Sequence, residues 1–363
     1  MKKLRKLPQI LYATLAVLTL LFTYYINTLE PTIQPPYQDS TFTNETITGE
    51  VKQVHQETLL ITPGNTPTPA QTIEAKIDQH HNFNEYKLGD QIQIHKQTST
   101  ETGEVVFEAK DFNHNPGLLI IFVLFAIITI IVARKKGISS LISVSLSIGL
   151  FYFLFLQLIK IGASPLIACL IFAAILATLT IPLIHGFNKK SLSSIIGISI
   201  GFVFSIAITY LFKEIAQTGA APSENFRILT IMFQDLNIAD ILIASLFLGG
   251  IGALIDTSIS IASAIFEVSD KNQRHNFKKT FRAGMEVGKD VLGSMVNTLL
   301  LAYLAAALPF LVLISLSSGS TALELTNLDF ISLELTRTFI SAASIVIIIP
   351  IVSATSAYYL TKN

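Results

Sequence analysis

A few side chains able to do chemistry fall where an apolar, membrane-length sequence ordinarily holds none. Asp256 lies inside Leu246–Ile265, which is otherwise apolar or small and long enough to cross a bilayer. A charge at that depth costs about 2.5–3.5 kcal/mol on insertion scales, so such an acid usually faces protein or water and often has a function. The next apolar stretch begins after Gly284 and carries Glu286, Asp290 and Asn297.

Helical spacing sorts these residues into two stripes. Asp256 and Glu267 are eleven residues apart, close to three turns, so they share a face about 16 Å apart along the axis. Ser260 and Ser263 lie between them. Glu286 and Asn297 repeat the interval, with Asp290 and Gly293 between and Lys289 at the flank. The two helices are expected to run antiparallel through a basic cytoplasmic connection. Counting from the inner ends of the apolar stretches puts Asp256 and Asn297 both roughly 9–12 Å into the membrane. Polar stripes at matching depth suit one hydrated cavity, with Asp256 binding a proton or cation and Asn297 hydrating or coordinating the same species. Plainer roles compete. Asn297 as interhelical glue is worth about 0.6 kcal/mol, and Glu267, Glu286 and Asp290 suit a wetted boundary beside Lys and Arg. Asp256 is harder to explain that way, given the cost of burying its charge, although pairing with a cation or a hydrogen bond across the bundle is the competing structural role.

These helices belong to a polytopic membrane protein. The hydrophobic fraction is 51%, the charged fraction 14% and the mean hydropathy +0.57, values foreign to a soluble domain. No basic face of the nucleic-acid-binding kind is present. The lone Cys169 sits in an apolar run, where a small buried hydrophobe is expected rather than a reactive thiol.

Eight spans are expected, at about 7–26, 117–133, 138–159, 164–184, 192–212, 239–265, 291–316 and 334–360. The first follows Lys2, Lys3, Arg5 and Lys6 and lacks a small-residue cleavage site, so it reads as an uncleaved signal anchor. Arg134–Lys136, Lys189–Lys190 and the cluster from Lys271 to Arg282 mark cytoplasmic loops; the alternate loops are poor in Lys and Arg. The positive-inside rule then puts both termini in the cytoplasm and residues 27–115 on the outer side of the membrane.

That outer segment holds thirteen Asp and Glu against five Lys. An extended linker from Glu30 to Pro36 leads into β-type runs at Thr46–Val54, Thr58–Thr62, Thr72–Ile77, Asp90–Lys96 and Val105–Ala109. Five short strands suggest a small barrel or sandwich, OB-like among the candidates, with Ile47, Val51, Ile73, Ile92 and Ile94 inside. Its five histidines, His55, His80, His81, His95 and His114, show no zinc-type spacing and read as solvated. The expected organisation is thus a mainly α membrane bundle with a small outer β domain: 1–26 an anchor helix, 27–115 the β domain with its linker, 116–363 seven further membrane helices.

Small residues recur at every fourth position in Ser193, Gly197, Gly201 and Ser205, and again in Ser139, Ser143 and Ser147, as helix packing in lipid requires. Gly249, Gly250 and Gly252 are expected to loosen the helix before Asp256, as at carrier binding sites, though close packing is the commoner use of membrane glycine.

Two long motifs, Gly249–Glu267 and Gly284–Tyr303, resemble those of the YibE/F-like family of bacterial membrane proteins, and the resemblance extends over most of 117–363. The anchor and outer β region look like those of the family's longer members. Gly288-Lys289-Asp290 stands where the family pattern has Gly-Arg-Asp, keeping the positive charge. The resemblance implies a family and, as a partner, a membrane subunit of the same family. It carries no activity.

Three functions compete on the residues. A secondary transporter or exporter would use Asp256 as its ion site, with Asn297, Asp290, Glu286, Glu267 and Ser260 as further ion- or substrate-binding candidates for an unnamed small solute. No P-loop is present to drive it with ATP. An intramembrane aspartyl protease would pair Asp256 with Asp290, but Asp290 lies near the membrane boundary and lacks a preceding Gly-x-Gly. A scaffold would dock partners through the outer β domain. A carrier is the leading expectation, with no catalytic residue, no cofactor and no assigned metal.

Overall fold

The computed structural model describes residues 7–29, 33, 42–55, 58–63, 72–77, 86–100, 102–218, 223–233, 235–268, 276–318 and 327–362. The expected linker (Ile33 apart), His80, His81 and the basic residues Lys271 and Arg274 lie outside them. The chain divides into two compact units, Pro36–Gly137 and Met1–Pro35 with Ile138–Asn363.

In the first unit, five strands close into a barrel in the order β1-β2-β3-β5-β4: β1 Phe42–Val54, β2 Thr58–Pro63, β3 Ile73–Ile77, β4 Gln91–Ser99 and β5 Val105–Phe112. All five expected runs are strands. Closure depends on the long β1, which pairs antiparallel with β4 over Phe42–Glu50 and with β2 over Gly49–Val54. At the crossover, a Cβ on Gly49 would sit 2.5 Å from Ile61 Cγ2 and 3.0 Å from Thr62 O, so only glycine lets the strands approach there. The single parallel pair, β3 with β5, completes the ring. Alternation turns Val51, Leu59, Ile61, Ala75, Ile92, Ile94 and Ala109 inward, and Tyr86 closes over them against Phe112. Ile47 and Ile73, expected in this core, are partly buried against it.

The rest is helical. Six stretches among the described residues are long and apolar enough to cross a membrane. One of them, Asn115–Lys160, takes in two of the expected spans. It comprises α2 (Asn115–Leu150), a π-helical turn (Phe151–Phe155) and α3 (Leu156–Lys160). Its backbone leaves the helical region at Arg134 (φ 49°, ψ −124°), inside the expected loop. The others are α4 (Pro165–His185), α5 (Lys189–Ile215), α7 (Ile238–Val268), α8 (Phe277–Ser318) and α9 (Asp329–Thr361), the last two bounded for the apolar stretch at Leu316 and Thr361. The anchor segment is α1 (Leu7–Thr28). A short helix, α6 (Glu224–Met232), has no counterpart among the sequence expectations and buries none of its residues. A π turn displaces the regular helical ladder, and Asn27 of α1 donates to the carbonyl of Phe153 within it at 2.8 Å while accepting from Gln157 at 2.9 Å.

Helices α5, α7 and α8 all pack on α9. The four-residue stripe of α5 is the means: Ser193 lies 3.1 Å from Ser356, Gly197 abuts Val352 and Thr355, and Gly201 abuts Ile348. Small residues bring backbones together where lipid supplies no hydrophobic drive between helices.

Candidate functional site

Helix α7 is continuous through its three glycines, so they do not break it. Their use is close approach. A Cβ on Gly249 would meet Tyr303 Oη of α8 at 2.7 Å and Arg337 Cδ of α9 at 2.9 Å, and one on Gly250 would meet Ser341 Oγ at 2.9 Å. Toward the other end of the seam, Gly284 of α8 abuts Ile265 of α7 and Ser353 of α9. These two meetings fix α7 and α8 antiparallel, with α9 behind both.

Between the meetings, a Cβ on Gly252 or Gly293 would meet nothing within 4 Å; Gly293, nine residues from Gly284, lies on the face of α8 turned away from the Gly284 contact. Asp256, seven residues along α7 from Gly249, is level with about Met295–Val296 of α8, within a turn of Asn297. Both side chains are exposed on the isolated chain, and neither makes a hydrogen bond or ion pair with any described residue. Glu267, Glu286 and Asp290 are also exposed, while Ser260 is half-buried. The two stripes therefore meet in depth without touching. Asp256 and Asp290 form no dyad: Asp290 lies about five residues below the level of Asp256, roughly 7 Å along the axis, and no contact joins them. Among the described residues no group of three His, Cys, Asp or Glu is arranged to hold a metal.

A second polar group sits at the Gly249 meeting, and the sequence reading passed over it. Arg337 Nη1 donates to both oxygens of Glu334, at 2.8 and 2.7 Å, one turn apart on α9. The pair is largely enclosed, with side chains 18% and 6% exposed. The guanidinium carbon stands 5.6 Å from the centre of the Tyr303 ring. Arg337 Nε, Tyr303 Oη and Ser341 Oγ are buried without a hydrogen-bond partner of acceptable geometry. A buried group left so costs about 1–3 kcal/mol, so three at one place ask for a reason. An available signal was the i, i+3 spacing of Glu334 and Arg337 inside an apolar helix; at the end of a span it reads as a wetted boundary pair.

The family model for YibE/F-like protein matches residues 121–362. No curated protein and no solved structure matches the chain.

Proposed function

The chain belongs to the YibE/F-like family, and from that premise we propose that it is a secondary carrier whose ion site is the carboxylate of Asp256. The observation carrying this is an acid near the middle of a long apolar helix, with no partner among the described residues, within a turn of the level of an amide on α8 and beside open space at Gly252. A carboxylate fixed by structural need would be expected to have a cation or donor beside it. One left free to take up and release a proton or small cation needs open space and no resident partner. Asn297 supplies a neutral oxygen at the same level, and Ser260 a hydroxyl one turn away. Glu267, Glu286 and Asp290 extend the polar seam toward the cytoplasm as an approach for cations.

In this reading the protein spans a bacterial plasma membrane eight times. Arg134 turns the chain between the second and third spans, both termini are cytoplasmic, and the acidic barrel stands outside. The strand order with its one parallel pair among the described strands supports an OB-type barrel, a fold that presents a surface for a ligand or partner.

Flux through purified protein in vesicles tests the ion site. Wild-type chain in proteoliposomes carries protons or sodium ions down an imposed gradient. Asp256→Asn abolishes that flux, and Asn297→Leu reduces it by less because the titrating group remains. Equal flux in Asp256→Asn and wild type would remove Asp256 as the ion site; no flux in wild type under either gradient would overturn the carrier and leave a scaffold that docks partners through the barrel.

A further inference from the structure

Around Glu334 and Arg337 the unused hydrogen-bonding capacity is dominated by donors. Glu334 occupies Arg337 through Nη1 alone, and the edge formed by Nε and Nη2 makes no hydrogen bond with any described residue. Two hydroxyls, Tyr303 Oη and Ser341 Oγ, are likewise buried; they lie within reach of each other, and neither has a hydrogen-bond partner of acceptable geometry among the described residues. They converge because α7 has no Cβ at Gly249 or Gly250, where Oη, Arg337 Cδ and Ser341 Oγ each come within 3 Å of the missing atom's place. A guanidinium has donors only, and its free edge matches the two oxygens of a carboxylate. The Tyr303 ring against the guanidinium holds that edge in place. A second cation has little to gain here, since Glu334 already has its counter-ion. One turn along α7, the open space beside Gly252 offers a way in.

We propose that Arg337, Tyr303 and Ser341 form a binding site for the carboxylate of a small organic anion, separate from Asp256 and about 10 Å from it along α7. This rests on the carrier reading only in making the anion its cargo, moved together with the cation at Asp256; the site itself requires no flux. Glu334 is a positioning residue that turns the guanidinium edge toward the seam.

Equilibrium dialysis of radiolabelled acetate against the full-length protein in lipid nanodiscs, with sodium chloride in excess, measures the site directly. One saturable acetate site per chain is expected. Tyr303→Phe and Ser341→Ala keep the ring, the ion pair and the packing but each remove a donor, and each weakens acetate binding about fivefold, the usual worth of one hydrogen bond. Asp256→Asn binds acetate as wild type does. No saturable acetate binding by the wild type overturns the proposal, as does binding that both hydroxyl variants retain in full. Loss of the chloride-resistant fraction would show a site for any anion and overturn the carboxylate assignment. Flux retained in Asp256→Asn removes Asp256 as the ion site, and absence of wild-type flux removes the carrier reading; either leaves the acetate result standing by itself.

Discussion

A carboxylate inside an apolar helix costs stability unless something rewards it, and Asp256 and Glu334 are provided for differently. Asp256 has no partner among the described residues, so Asp256→Asn removes an insertion cost and no stabilising contact seen there. Its unfolding temperature in detergent is expected to equal or exceed that of wild type while flux disappears; a lower one with full flux per folded molecule would make Asp256 structural. Glu334 is the opposite case. Glu334→Gln leaves the buried guanidinium of Arg337 uncompensated, and breaking such a pair costs about 3–5 kcal/mol, so a marked fall in unfolding temperature is expected. A variant as stable as wild type would show the pair to be open to water. The sequence revealed Asp256 and Asn297 because each is a polar residue alone among apolar ones. Tyr303, Glu334, Arg337 and Ser341 escaped it because each has an ordinary reading by itself, and their convergence is made by contacts between three helices.

Among the elements, the barrel was the most legible. Alternation such as Gln91-Ile-Gln-Ile-His95, with turns at glycine, gave all five strands, because a strand half-facing a core has a period of two wherever it lies. Its closure was not legible, since it depends on Gly49 admitting Ile61 and Thr62 to close range. The bundle shows the reverse weakness. Glycine before Asp256 suggested a broken helix, yet α7 is unbroken because the space those glycines free is filled by Tyr303, Arg337 and Ser341. The barrel also carries a pH dependence. Burial, then the charge of Lys110 two residues beyond its β5 partner Glu108, lowers the pKa of His95 from 6.5, with the Glu108 carboxylate opposing. A histidine that releases its proton more readily when folded gives stability that is present above its unfolded value and lost as the pH falls through the folded one. Unfolding of the isolated segment 36–114 by urea is expected to become easier as the pH drops from 7 to 5.5. His95→Gln should flatten that dependence; an equal slope in both would assign it to other groups.

At the scale of the whole molecule the main question is which side of the membrane each unit meets, and charge decides it. The barrel segment is acidic, with no arginine between residues 27 and 115, whereas basic residues cluster between α7 and α8 and beside Arg134. Positive charge is retained on the cytoplasmic side during insertion, so barrel and basic loops are expected on opposite faces. The chain suits a labelling test because its only cysteine, Cys169, is fully buried and gives little background. Thr102→Cys places a thiol in the exposed turn between β4 and β5, and Lys278→Cys places one in the exposed first turn of α8. A membrane-impermeant maleimide added to intact cells is expected to label the first and spare the second until the membrane is permeabilised. The reverse pattern would invert every span. Asp256 would then approach the outer face, and a cation taken up there would travel in the opposite sense. Labelling of both from outside would mean an even number of spans between barrel and basic loop, as when the chain turn at Arg134 fails to separate two crossings.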